Sequence, residues 1–296
     1  MNIFLEVISL HNIVQRSNYF EYVVGLEGIS LRAPATFSFD EIDQIIGKAE
    51  SVGHGVALNA SKIFHEDELD HLRATLMAIK ERNIKHIFFS DLAVYMIARE
   101  LGMNDRLIYN ATTYLANSED VNHYLDLGTS VVISPDLSLR EQIEIVNHTK
   151  KPSVIFAFGK YAIFHSRREL LTNYFEYRNF DNINLRNNRN LTIVEELRFE
   201  HHPIVEDENG THVFTSKYYC LLKEINLFNK PFNLYLSTNF LTNDQINFLA
   251  QTYDDAATNN KKTESFYDEL QQVIPGLGEG IRNQKTFLLK KDGGAE

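Results

Sequence analysis

Two groups of side chains in this 296-residue chain have the types and spacing for chemistry. One comprises Glu195, Glu196, Arg198, His201, His202, Glu206, Asp207 and His212. Imidazoles and carboxylates at these intervals can exchange protons near neutral pH or hold a divalent cation. Neither a three-residue His spacing nor a His-Glu-x-x-His helix is present, so zinc is unsupported. The nearest approach is His65-Glu66-Asp67-Glu68-Leu69, which has Leu69 where the second His would stand. The plainer alternative for the whole group is a charged hairpin with structural ion pairs. The other group is His165, Ser166, Arg167 and Arg168, which follow the apolar run Phe156-Ala-Phe and Gly159. An apolar strand that ends in a Gly turn and a polar cluster is how a barrel rim presents reactive side chains. Ser166 beside His165 does not make a hydrolase: adjacency does not aim a base at a nucleophile, and no Gly-x-Ser-x-Gly elbow exists. Cys220, within Tyr218-Tyr-Cys-Leu-Leu222, reads as packed core. Gly276-Leu-Gly-Glu-Gly280 follows Pro275 with no strand before it and reads as a flexible loop.

Such residues need a scaffold. Short β-branched or aromatic runs, at Ile3–Ile8, Tyr22–Val24, Gly55–Asn59, His86–Ser90, Arg106–Asn110, Ser130–Ser134 and Ser153–Phe158, read as strands. Between them lie amphipathic stretches. In Glu66–Arg82, the residues Leu69, Leu72, Leu76 and Ile79 share one helical face. Ser138 with Glu141 forms a capping box that opens Leu139–Asn147, and Gly102 stands where a left-handed residue would end Ala93–Leu101. Strand–helix repeats of this length imply a parallel sheet with right-handed crossovers. At least seven strands, with no Gly-rich phosphate loop after the first, favour a closed TIM-like (β/α) barrel over an open sheet. Glu6, Asn59, Asp91, Asn110 with Thr112, and Asp136 close the strands and would gather at one mouth. The alternative for each is a helix N-cap.

The pattern breaks at Arg178–Asn190, where six of the twelve residues from Asn179 onward are Asn, which reads as a surface loop or insertion. Asn209-Gly210 marks a tight turn between two short strands. Tyr218–Asn226 and Phe232–Leu236 read as a last helix and strand, and Thr242–Tyr253 and Glu264–Val273 as helices of a small C-terminal appendage. The expected organisation is a barrel over residues 1–240 and a helical extension with a frayed tail over 241–296.

Composition narrows the function. With 44% hydrophobic and 23% charged residues, the chain can bury a large core. No apolar run approaches the roughly 18–20 residues of a membrane span, and Glu6 interrupts an N-terminal stretch that has no basic segment before it, so no signal peptide is expected. A single cysteine excludes an intramolecular disulfide and any all-cysteine cluster or zinc site built from this chain alone. The expected setting is the cytoplasm, without a membrane. A net charge of −11 argues against a stand-alone nucleic-acid binder, because phosphate contacts need clustered Lys and Arg.

Phe158-Gly159 through Phe175, Glu195-Glu196-x-Arg198 and Pro203-Ile-Val-Glu-Asp-Glu-Asn-Gly-Thr-His212 together resemble the collagenase-like peptidase family U-32, and its short Gram-positive branch most closely. Phe37-Ser-Phe-Asp-Glu-Ile42, Lys62–Leu69 and Asn110-Ala-Thr-Thr113 extend the resemblance over most of the chain. It implies a TIM-like barrel. The family's peptidase label has no assigned mechanism, and several members take part in hydroxylating RNA bases or the ubiquinone ring, often as paired subunits with a four-iron cluster. Members with a cluster carry His-Gly-x-x-Cys-x-x-x-Ser-x-x-Cys; here those ligand positions are Phe158, Ala162 and Glu169, so no iron–sulfur cluster is expected in this chain. The resemblance implies a cluster-free subunit of a tRNA wobble-uridine 5-hydroxylation system. It would form a heterodimer with a longer, cysteine-bearing paralogue and reach tRNA through that partner. Under this reading Arg32, Arg168 and Arg198 are candidates to hold a phosphate or carboxylate, with Asn59, Asp91 and Asn110 at the mouth. His165, Asp207 and His212 are the candidate acid–base groups. Two alternatives stay open: a metal-assisted peptidase using Glu206, Asp207 and His212, and a non-catalytic binding barrel.

Overall fold

Parallel strands cannot be joined by tight turns, and each connection here takes the chain out across the surface and back. A computed structural model of the protein describes residues 1–111, 115–180, 184–197, 199–259 and 263–284. In chain order it begins with β1 (Asn2–Glu6), β2 (Tyr19–Leu26), the two-residue β3 (Thr36–Phe37), α1 (Phe39–Ser51), β4 (Gly55–Ala60), α2 (Leu69–Lys80) and β5 (His86–Phe89). It continues with α3 (Leu92–Glu100), β6 (Leu107–Tyr109), α4 (Ser118–Asp126), β7 (Ser130–Ile133), α5 (Leu139–His148) and β8 (Val154–Gly159). An inserted region then holds β9 (Ala162–Ser166), α6 (Leu170–Tyr177), β10 (Thr192–Ile193), β11 (His202–Asp207), β12 (Gly210–Phe214) and β13 (Tyr218–Cys220). The chain ends through β14 (Asn233–Leu236), α7 (Asn243–Thr258), α8 (Thr263–Val273) and β15 (Leu277–Gly278).

Eight strands close a parallel barrel in the order β14-β1-β2-β4-β5-β6-β7-β8, with β8 pairing back to β14. Register at the seam is set by Ile3 opposite Leu234 on one side and Leu234 opposite Ile155 on the other. These strands are buried on both faces: β4 and β8 have no exposed position, so they read as apolar runs without alternation. The expected strands and the TIM-like barrel are present, and the expected caps are made. Ser138 and Glu141 form the capping box of α5, and Gly102 follows α3 at φ 75°, a conformation that a side chain would resist.

Two expectations change. Tyr218–Asn226 is not a helix: Tyr218–Cys220 forms β13, antiparallel to the end of β8, and only Ile225–Leu227 makes a single 3-10 turn. Aromatic and apolar residues there follow the open backbone of β8 rather than a helical period, a tertiary override of local preference. Within the expected loop Gly276–Gly280, Leu277–Gly278 forms β15, parallel to β13. The helices after residue 240 are present and lie against the barrel. Ile246, Leu249, Ala250 and Tyr253 of α7 belong to the same continuous core as the strands, and Tyr253 donates to the Ala157 carbonyl at 2.8 Å. By contrast, Ile204 and Val205 of the inserted sheet are buried yet stand outside that core. The insertion, between the seventh and eighth barrel strands, is therefore a small antiparallel flap of order β10-β11-β12-β9 with packing of its own.

Candidate functional site

The C-terminal strand ends meet in a pocket of about 140 Å³, room for roughly five waters. Glu6, at the end of β1, is buried at its floor and accepts from the Tyr235 hydroxyl at 2.7 Å, the Ser237 hydroxyl at 2.7 Å and the Thr238 N–H at 2.9 Å. Burial raises the Glu6 pKa above the usual carboxylate range, and these donors offset only part of that. Asp136, after β7, is also raised by burial, and the Tyr161 hydroxyl hydrogen-bonds to it. Asn59 lines the wall beneath the Arg32 loop, its Oδ1 accepting from the Ser61 N–H at 3.1 Å, and Asn110 lines the pocket from the end of β6.

Two cations face these acids. Arg32 sits on the loop after β2 in a left-handed conformation, φ 57°, that non-glycine residues seldom adopt. Its carbonyl accepts from Asn239, and Gly25 lets the loop lie flat, since a Cβ there would stand 2.8 Å from Ala33. Among the described residues the Arg32 guanidinium has no hydrogen bond or ion pair, and burial lowers its pKa against the opposing pull of Tyr235, Asp207 and Glu6. Lys160 directly follows Gly159, where φ is 132° and a Cβ would meet Ser237 at 2.7 Å. Its ammonium lies 4.8 Å from the Tyr218 ring centroid, pairs with no described carboxylate, and has its pKa lowered by burial. A guanidinium and an ammonium that make no direct ion pair among the described residues can receive an anionic group at the pocket wall.

The flap stands beside this mouth, with Ala162 and Phe214 lining the pocket from its inner edge. On it, His165 of β9 and His212 of β12 are cross-strand partners with stacked rings, 4.8 Å between centroids. His212 Nε2 lies 3.1 Å from Asp207 Oδ1, and His212 Nδ1 lies 3.1 Å from His165 Nδ1. A carboxylate can only accept, so Nε2 of His212 carries a proton; when that ring is neutral its Nδ1 accepts from His165, and when it is charged the direction of that contact reverses. In the neutral arrangement His165 Nε2 is the nitrogen left without a proton, and its surroundings make it a weak base. The His165 pKa falls to about 4, first through burial and then through His212 and Arg32. Burial alone would raise the Asp207 pKa, but the hydrogen bond and charge of His212, the Asn209 N–H and Arg189 hold it below its ordinary value. The arrangement is a neutral acceptor relayed to a carboxylate, suited to proton transfer.

Of the residues expected from sequence, His165, Asp207 and His212 come together in this relay, and Arg32, Asn59 and Asn110 come together in the pocket. Three others take different places. Glu206 neighbours Asp207 on β11, but successive strand residues face opposite sides. Its buried carboxylate accepts from the Leu171 N–H at 2.8 Å and the Thr172 N–H, capping the start of α6 rather than meeting the relay. Asp91 is the N-cap of α3, accepting from the Ala93 N–H at 2.9 Å and also from Phe64. Arg168 is exposed on the turn after β9, its carbonyl held by Thr211, and lies outside the pocket lining. Arg198 and Thr112–Thr113 lie outside the described residues.

Sequence reasoning missed Lys160, Tyr161 and Arg189. Lys160 was open to discovery, as the first residue past Gly159 at a barrel-strand end. Arg189 was hidden by its Asn-rich surroundings, yet it reaches back to bond the Asn239 side chain and the Ala33 carbonyl, both at 2.8 Å. The residues present do not fit a thiolate-ligated cluster. Phe158 is core, Ala162 and Glu169 carry no sulfur, and Cys220 is fully buried, hydrogen-bonded with Tyr253 and pushed up to about 11. Among the described residues no three His, Cys, Asp or Glu side chains converge to hold a metal. No described helix is long and apolar enough to cross a membrane.

Known proteins share this chain's features. The sequence model of peptidase family U32 matches residues 18–276. The chain is 28% identical to the tRNA hydroxylation protein P2 of Bacillus subtilis over 207 residues, 69% of this chain and 67% of that protein. A collagenase of Porphyromonas gingivalis is 23% identical over 127 residues, 42% of this chain and 30% of that protein. Among solved structures, the U32 peptidase Mk0906 shares the fold at a TM-score of 0.50 and 16% identity, over 80% of this chain and 93% of the other.

Proposed function

The chain belongs to peptidase family U32, and we propose that within it the protein is a cluster-free subunit of a tRNA wobble-uridine 5-hydroxylation system. The observation that carries this reading is the similarity to the tRNA hydroxylation protein P2, which extends over 207 residues, 69% of this chain. Arg32 and Lys160 take an anionic group of the substrate or of a small reactant, and the His165–His212–Asp207 relay accepts a proton at His165 Nε2. The redox centre belongs to a partner, a longer cysteine-bearing paralogue that forms a heterodimer with this chain. That partner also supplies most phosphate contacts, since a net charge of −11 opposes them here. Such a pair works in the cytoplasm, where tRNA resides. Deleting the gene and measuring tRNA nucleosides by mass spectrometry tests the role. Loss of 5-hydroxyuridine derivatives is expected; unchanged levels in a genome without a redundant paralogue would sink it. Co-purification then looks for the cysteine-rich partner.

The metal-assisted peptidase reading draws on the collagenase likeness over 127 residues. The geometry favours it less, because Glu206 and Asp207 face different partners. Chelator-sensitive cleavage of peptides by the purified chain would restore it.

A further inference from the structure

Charge and aromatic side chains are unevenly spread along this chain. Residues 160–199 hold seven Lys and Arg against five Asp and Glu, while the rest holds 22 against 35. The same stretch carries ten of the 21 large hydrophobic side chains that stand exposed among the described residues. Within it, α6 buries no residue at all. Its start is held by Glu206 and Thr211, which take up the free N–H groups, while Leu171, Thr172 and Phe175 are half-buried. Its outer face is aromatic: Tyr174 is 50% exposed, Tyr177 82% and Phe180, just beyond the helix, 49%. Tyr174, Phe175 and Phe180 form an edge-to-face cluster with centroids 5.4–6.2 Å apart, and the Arg178 guanidinium lies 5.5 Å from the Phe180 centroid.

We infer that this α6 face is a stacking platform for unpaired bases of a single-stranded RNA loop. Resting on the tRNA reading above, the inference gives this chain its own contact with the substrate. Rings beside an arginine suit bases and their phosphates, because every base has a π-face and guanidinium planes also stack on them. A stacking surface needs few cations, so it is compatible with an acidic chain that would fail as a phosphate binder. The platform is continuous with the site: α6 hangs from β11 and β12, and β12 ends at Phe214 in the pocket wall. A loop stacked on α6 would hold a neighbouring nucleotide near the mouth.

The test uses the purified full chain and a labelled tRNA anticodon stem–loop with uridine at the wobble position, against a blunt RNA duplex of equal length. Fluorescence anisotropy should show preference for the stem–loop and a shallow salt dependence, with a log–log slope of about −1 to −2. Because Tyr174 and Phe180 stand about half exposed, Tyr174→Ala with Phe180→Ala should keep the urea midpoint and weaken binding roughly ten-fold or more. Tyr174→Leu with Phe180→Leu should weaken it as much, since the apolar area remains but the rings are gone. Leucine variants that bind like the wild type, equal affinity for the duplex, or no binding by the wild type would each overturn the platform. Retained association of the leucine variants with a co-purifying protein, without RNA binding by the wild type, would mark the face as a protein contact instead. These results are independent of the nucleoside analysis, so either reading can fail alone.

Discussion

Glu6 and Asp207 are carboxylates that both act on Arg32, yet their surroundings push them in opposite directions. Glu6, on the barrel floor, is enclosed and receives three neutral donors, and burial raises its pKa. Asp207, on the flap, meets an imidazole, a backbone N–H and the field of Arg189, and its pKa is lowered. A hydroxyl steadies a carboxylate less than a group that can carry positive charge, so depth in the fold decides the first and partner chemistry the second. The barrel thus holds a carboxyl group whose pKa is raised and the flap one whose pKa is lowered, and both act on Arg32.

The largest expected effect comes from the floor. Glu6→Ala leaves Tyr235, Ser237 and Thr238 unpaired in the interior and should cost about 3 kcal/mol in urea unfolding. Glu6→Gln keeps an acceptor and should cost under half of that. Equal losses for the two would mean that a buried negative charge is required, against the raised pKa. On the flap, Glu206→Ala should release the start of α6 at a cost of about 2 kcal/mol, with faster amide exchange at Leu171 and Thr172 and none at His212. Asp207→Asn should cost about 1 kcal/mol and shift the imidazole NMR titrations of His165 and His212. If instead Glu206→Ala moved those titrations as strongly, the two faces of β11 would not be independent.

A further expected effect is a pH dependence. His165 titrates at about 4 when folded and near 6.5 when unfolded, so the unfolded chain binds the extra proton between these values. Stability should therefore fall as pH drops from 6.5 towards 4, and His165→Gln should remove that slope. Asp207, with a lowered pKa, contributes fully above its ordinary 3.8 and loses that contribution progressively as pH falls below it through the folded value. The two windows are separable in one set of pH-dependent unfolding curves.

Much of the barrel was legible because its strands are buried on both faces and its helices carry caps such as Ser138 with Glu141. The flap was less so. Glu206 and Asp207 look equivalent in sequence, and only the pleat of β11 sends one to α6 and the other to His212. His165 and His212 lie 47 residues apart, so their stacking depended on the β9–β12 register. Tyr218–Cys220 read as helical because nothing local reveals the open edge of β8. Arg189 lay in a stretch without period, and its role comes from distant partners at Asn239 and Ala33.

Arg32 joins the two regions, and its unpaired guanidinium makes the sharpest test. A strain lacking the gene, complemented with the wild-type chain or with Arg32→Met at equal protein levels, can be assayed for tRNA 5-hydroxyuridine derivatives by mass spectrometry. The wild type should restore the nucleosides and Arg32→Met should leave them at the deletion level. Full restoration by Arg32→Met would contradict a working anion site at the barrel mouth.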